Sequence, residues 1–217
     1  MNKVYENDSC VVYDDVLEKE QFATIWQAAQ QLHYSNPHLS GWTKVWRQND
    51  GSNMGSQMFK YTEAPFNNPM DIVCNIFSEV SKQHPDLVPT WNEITIRNYL
   101  YPSGTKLNWH NDKGYAAAGI FYIHPYWAST WGGELMLAQT PPCDNVPDPS
   151  LDHRFEDAFL EHSGMGMYIT AKPNRLVFTK AGVWHSINRV DKDAGDNVRS
   201  AMVAFFENKC GENRCEG

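Results

Sequence analysis

The chain of 217 residues lacks any apolar run approaching the ~20 residues that a membrane-spanning helix needs. It has no cluster of Lys and Arg, and its 26 acidic against 18 basic residues give a net charge of −8. An electrostatic grip on nucleic acid or on an anionic membrane is therefore not expected. Residues 1–10 are polar and mixed in charge, without the apolar stretch of a secretory leader, so the expected location is the cytoplasm. Only five cysteines occur (Cys10, Cys74, Cys143, Cys210, Cys215), an odd number with no CxxC pair, which argues against a disulfide framework. Repeats and low-complexity linkers are absent too, and one domain spanning 1–217 is the expectation. What is plentiful is aromatic side chain: eight Trp, ten Tyr and ten Phe, enough to fill a core and to line a small-molecule pocket.

Periodicity divides the chain in two. Phe22, Ile25, Trp26, Ala29 and Leu32 recur at helical spacing and predict a helix over 16–33, capped by Asp14 or Asp15. Ile72, Val73, Ile76, Phe77 and Val80 predict a second over 69–83, opened by Asn68 and Pro69. Strand-like runs before residue 92 are short: 8–13, 43–48 and 56–61. From 92 onward short β-rich runs follow one another at 93–101, 105–110, 117–124, 133–138, 166–171, 175–179, 183–189 and 198–206, with Gly, Pro, Asn and Asp between them. About eight such strands fit a mainly β fold: a jelly roll, or cupin-like double-stranded β-helix, over 91–209, with the helical part over 1–90. Residues 139–165 interrupt this core with four prolines, a length expected of a functional or a disordered loop.

His110 and Asp112 stand two residues apart. On a strand this puts both side chains on one face, so both reach one metal with little distortion. His185, after a strand and the Gly182 turn, is the best third donor. Two His and one carboxylate leave three coordination positions open, the donor set of non-haem iron oxygenases. A keto acid and O₂ fill such positions. An HxD pair alone is also a common accident; its surroundings give it weight.

Those surroundings are NYLYPSGTKLNWHND (98–112), GIFYIHPYWASTWGGELML (119–137), PNRLVFTKAGVWHSINRV (173–190) and VRSAMVAFF (198–206). In order and spacing they resemble the prolyl-4-hydroxylase-like branch of the iron(II)/2-oxoglutarate oxygenases, over about half the chain. The resemblance implies that His110, Asp112 and His185 hold iron. It implies that Arg199 binds the distal carboxylate of 2-oxoglutarate, with Tyr122 as a second donor and Tyr101 as a further pocket residue. Arg199 follows His185 by more residues than the family usually has; DKDAGDN (191–197) reads as a polar loop inserted between them. Arg189 lies closer in sequence but precedes that loop. The alternative for Arg199 is a surface ion pair, and for Tyr122 a core tyrosine.

The implied cofactors are Fe(II), 2-oxoglutarate and O₂, with ascorbate as an auxiliary reductant. The implied reaction is hydroxylation with release of succinate and CO₂, and the carboxylate of Asp112 disfavours halogenation. An amino-acid-like small molecule, free or carrier-bound, is the expected substrate. A peptidyl (prolyl-type) hydroxylase and a non-catalytic cupin-like binding module are the alternatives. Oligomeric state is not encoded in any pattern visible here. The acidic insert, with six Asp or Glu between 144 and 161, is either a solvated loop with no ligand role or a feature that attracts a cationic group on the substrate, and Trp42, Trp46 and Trp131 are candidates for pocket walls or for core.

Overall fold

The computed structural model describes residues 1–36, 50–62, 66–139, 161 and 164–208. Thirteen strands occur among them: β1 (Asn2–Glu6), β2 (Cys10–Asp14), β3 (Tyr34–Ser35), β4 (Met54–Ser56), β5 (Phe59–Tyr61), β6 (Glu93–Tyr101), β7 (Leu107–His110), β8 (Ala117–Tyr122), β9 (Leu135–Ala138), β10 (Gly166–Ile169), β11 (Leu176–Lys180), β12 (His185–Ile187) and β13 (Arg199–Glu207). Two α-helices, α1 (Lys19–Gln30) and α2 (Met70–Gln83), and a short 3-10 helix at Lys192–Ala194 also occur among the described residues. The strands form two antiparallel sheets. The larger runs β1-β2-β11-β8-β13-β6-β4-β3, with β5 also on β6; the smaller runs β10-β9-β12-β7.

The larger sheet is covered on both faces, so its central strands lack the apolar/polar alternation of a half-solvated sheet. Period-2 geometry instead sorts their side chains between two cores. Val11, Phe121, Phe178, Met202, Ala204 and Phe206 pack with Ile25, Ala29, Val73, Phe77 and Val80 of the helices. Phe77 lies edge-on to Phe178 and Phe206, at centroid distances of 5.9 and 6.4 Å. A Cβ at Gly119 would come within 2.7 Å of the Phe77 ring, so this glycine lets α2 approach β8. The intervening residues Val12, Ile120, Tyr122, Val177 and Ala201 face Leu135, Leu137 and Ile169 of the smaller sheet. Arg199, Ala201, Val203 and Phe205 therefore share the face that looks between the sheets.

Several local expectations are altered. α1 begins at Lys19, without a side-chain cap. Asp14 is drawn into an ion pair with Arg175 (2.7 Å) and Lys172 (2.8 Å), and Asp15 takes a positive φ of 51°. Tertiary electrostatics has overridden the capping preference. α2 begins as expected, with the Asn68 side chain accepting from the Met70 N–H at 2.8 Å. The 56–61 run is broken at Gln57 and Met58 into β4 and β5. Strand β1 is fully exposed and polar in sequence (NKVYE), so no apolar pattern announces it. The predicted strand at 43–48 lies outside the described residues.

Candidate active site

Strands β7 and β12 pair antiparallel with His110 directly opposite His185 and a bulge between His185 and Ile187. The two imidazoles meet at a centroid distance of 4.2 Å. β7 ends at His110, so Asp112 sits in the following turn, where its carbonyl accepts from the Tyr115 N–H at 2.9 Å. The i, i+2 spacing thus works here through a strand end and a turn. The Asp112 carboxylate lies 3.3 Å from His185 Nε2, and one ligand atom from each of the three residues falls within 4.8 Å of the others. No other such group of His, Cys, Asp or Glu occurs among the described residues.

Both imidazoles are oriented through Nδ1. His110 Nδ1 donates to the Asn108 carbonyl at 2.7 Å, and His185 Nδ1 to the Val183 carbonyl at 2.8 Å. A carbonyl only accepts, so each Nδ1 carries the proton and each Nε2 is left for a metal. Burial, followed by the charge of His185, pushes His110 down to about 4. Burial also works against the charged forms of His185 and Asp112, yet their mutual hydrogen bond and attraction outweigh it. His185 is raised and Asp112 lowered. Two neutral imidazoles and one carboxylate on one side of a pocket fit Fe(II).

The triad lines a cavity of about 60 Å³ between the sheets, and Arg199 and Tyr101 line the same cavity. Arg199 opposes Tyr101 across the β13–β6 ladder. Its side chain is 1% exposed and lies over the rings of Tyr101 and Tyr122, each 4.9 Å from the guanidinium carbon. Nε donates to the Gly133 carbonyl at 2.7 Å and one terminal nitrogen reaches the Tyr122 hydroxyl at 3.4 Å. The other terminal nitrogen, Nη1, is buried with no hydrogen-bond partner, and no carboxylate pairs with Arg199 among the described residues. A buried cation without a counter-ion costs several kcal/mol. This arrangement fits a guest carboxylate such as the distal one of 2-oxoglutarate.

Tyr122 is fully buried but is not part of the cavity wall; it contacts Arg199 from the side, whereas Tyr101 lines the cavity. Arg189 is exposed and turned to the Gly104 carbonyl. His124 is a buried structural residue: Nε2 donates to the Ala171 carbonyl (2.7 Å) and Nδ1 accepts from the Ser200 N–H (3.1 Å), with burial pushing it down to about 4. His84 pairs with Tyr13 and Glu6, and Cys10 and Cys74 are free, buried thiols. Trp131 packs on Trp127 at 5.4 Å and does not line the cavity. Trp42, Trp46, His38, His153, His162, Cys143, Cys210, Cys215 and nearly all of the acidic insert lie outside the described residues.

Two residues carry a role that side-chain reasoning misses. Gly132 and Gly133 both have positive φ (71° and 72°). A Cβ on Gly132 would fall 2.1 Å from the Arg189 carbonyl oxygen, and one on Gly133 would fall 2.8 Å from Arg199 Cδ. The paired glycines let the backbone close over Arg199 and present the carbonyl that fixes it. The signal available in sequence was the Gly-Gly pair at the start of the run predicted as a strand over 133–138.

No family model matches the chain, and no curated protein matches it. Solved structures do. A prolyl-4-hydroxylase from Pseudomonas putida superposes over 93% of this chain and 94% of its own, with TM-score 0.62 and 12% identity. A 2OG-Fe(II) oxygenase family oxidoreductase from Burkholderia pseudomallei covers 95% and 88%, with TM-score 0.57 and 14% identity. The non-haem α-ketoglutarate-dependent carbocyclase SnoK from nogalamycin biosynthesis covers 92% and 79%, with TM-score 0.60 and 13% identity. At these identities the likeness is one of fold: the chain shares the fold of these solved oxygenases, and a shared fold does not by itself carry a role.

Proposed function

We propose that the chain is an iron(II)- and 2-oxoglutarate-dependent dioxygenase, one domain over 1–217 built on a double-stranded β-helix. It hydroxylates an amino acid or amino-acid-derived small molecule, free or carrier-bound, and releases succinate and CO₂. One observation carries the reading: a single cavity combines a His-Asp-His donor set with a buried guanidinium that, among the described residues, has an unpartnered nitrogen and no carboxylate. His110 and His185 hold the metal through Nε2 and Asp112 through its carboxylate. Bound iron supplies activation of O₂ coupled to oxidative decarboxylation of the keto acid. Arg199 takes the far carboxylate, held by Gly133 and flanked by Tyr101 and Tyr122. Leu107, Ile120, Leu135, Ile187 and Val203 wall the cavity with hydrocarbon, which excludes water and strengthens the guanidinium–carboxylate pair.

A peptidyl hydroxylase shares the same chemistry, and the Pseudomonas putida protein similar in fold is named a prolyl-4-hydroxylase. A non-catalytic cupin-like module has no need of the complete donor set or of the orphaned Arg199 nitrogen. The test is a screen of free amino acids, small acids and prolyl peptides for stimulated conversion of 2-oxoglutarate to succinate, with mass spectrometry of products. The expected result is a product heavier by one oxygen with equimolar succinate. Absence of succinate above the iron-free control for every compound refutes the reading.

A further inference from the structure

The inner face of β6 carries a second buried arginine. Arg97, Tyr99 and Tyr101 alternate along one face of that strand, with Tyr101 beside Arg199 and Arg97 four residues away. Arg97 is 9% exposed. Its Nε donates to the Ser56 carbonyl at 2.6 Å, and its guanidinium carbon lies 5.4 Å from the Tyr99 ring centre. No carboxylate pairs with it among the described residues. Space for it is made on β4, where a Cβ at Gly55 would sit 2.6 Å from Nε and 2.7 Å from Cζ. Gly55 has no positive φ, so room for the guanidinium is what requires the glycine here.

Arg97 lines a pocket of about 130 Å³ that shares Tyr99 and Phe205 with the cavity of the triad. Its other charged groups are Lys60, exposed on β5, and Glu207, whose Oε1 accepts from Thr95 at 2.6 Å. Tyr115 stacked on Phe205, with centroids 4.4 Å apart and planes at 28°, gives it a flat aromatic wall. The pocket thus joins a fixed cation to an aromatic surface, bordering the cavity of the triad at Tyr99 and Phe205 and lying on the far side of Tyr99 from Arg199.

We propose that this pocket holds the primary substrate and that Arg97 receives a free carboxylate on it. Resting on the oxygenase reading above, this names the substrate class: a small carboxylic acid with an apolar body, such as an unblocked α-amino acid. A residue within a peptide, or one thioesterified to a carrier, lacks the carboxylate that Arg97 pairs with. The acidic insert had pointed to a cationic group; the residues described around the triad favour an anionic one. The two are compatible in a zwitterion, with the carboxylate at Arg97.

The test is calorimetric binding of matched probes to the protein loaded anaerobically with Fe(II) and 2-oxoglutarate. The probes are L-leucine, L-phenylalanine and L-proline, each against its primary amide. At least one acid is expected to bind ~10-fold or more tightly than its amide, the range of a charge-assisted pair. The ratio should collapse in Arg97→Gln, recover in part in Arg97→Lys, and fall in Gly55→Ala, which displaces the guanidinium without touching its charge. Equal binding of acids and amides, or no binding by any acid, overturns the proposal. So does a loss of 2-oxoglutarate affinity in Arg97→Gln that matches the loss of acid binding, since Arg97 then serves the cosubstrate. A wild-type protein that fails to bind 2-oxoglutarate refutes the oxygenase reading instead. The acid–amide comparison, repeated without iron or keto acid, then still decides the role of Arg97.

Discussion

Replacing Arg199 by Met separates the two consequences of burying an unpaired cation. In the ligand-free protein the guanidinium makes a 2.7 Å bond to the Gly133 carbonyl and a long one of 3.4 Å to Tyr122, and no carboxylate among the described residues neutralises its charge. Losing the Gly133 bond costs about 1–2 kcal/mol. Replacing a buried ionic group by an apolar side chain of similar volume returns about 1–4 kcal/mol. The two nearly cancel, so Arg199→Met should leave the ligand-free protein as stable as wild type or slightly more so, an upward Tm shift of no more than ~10 °C. Binding of 2-oxoglutarate should move the other way. A two-pronged charged contact is worth about 1.5–3 kcal/mol, and its loss should weaken binding ~10- to 100-fold. The assays are thermal unfolding of the metal-free protein and anaerobic titration of the iron-loaded protein with 2-oxoglutarate. A large drop in Tm with unchanged 2-oxoglutarate affinity would show that Arg199 is a structural residue, and the assignment of the cavity's deep end would fall.

Gly133→Ala should weaken 2-oxoglutarate ~10-fold and destabilise by about 1–2 kcal/mol, through the contact with Arg199 Cδ and the strain of a positive φ; an unchanged KM for 2-oxoglutarate would contradict it. Asp112→Ala should abolish succinate formation and lower iron affinity, since it leaves two imidazoles only; substantial turnover at saturating iron would remove Asp112 from the ligand set. Asp14, held below the usual carboxylate range by Arg175 and Lys172 against its burial, should stabilise the fold above the ordinary carboxylate pKa. Its contribution should be lost as pH falls through the lowered folded-state value. Asp14→Asn should therefore cost about 2–3 kcal/mol near neutral pH and progressively less in acid, as read by urea unfolding across pH. A cost independent of pH would mean that packing, not charge, holds Asp14.

What the sequence made legible follows from how each element is stabilised. The strands from 93 onward were visible because both faces of the larger sheet are buried, which leaves short apolar runs between turn residues. β6 is found with the same bounds as predicted, and β8 and β13 within two residues. β1, exposed throughout, carries no such signal. The helix start at Lys19 was misplaced because Asp14 serves an ion pair with residues over 150 positions away, which no local rule contains. The metal-ligand candidates could be proposed because HxD and a distant His are compact in type and spacing. The glycines at 55, 132 and 133 were opaque in sequence, because each matters for what lies across a sheet or loop from it: Arg97, the Arg189 carbonyl and Arg199. Arg97 carries no local signal in sequence, since Thr95 and Asn98 of the same strand are polar too.

The most direct test of the account is anaerobic calorimetry of the metal-free protein with Fe(II), followed by 2-oxoglutarate. The account predicts one iron site, lost in His110→Ala and His185→Ala, and 2-oxoglutarate binding that needs both the iron and Arg199. Iron binding that survives removal of both histidines, or 2-oxoglutarate binding indifferent to iron and to Arg199, would contradict it.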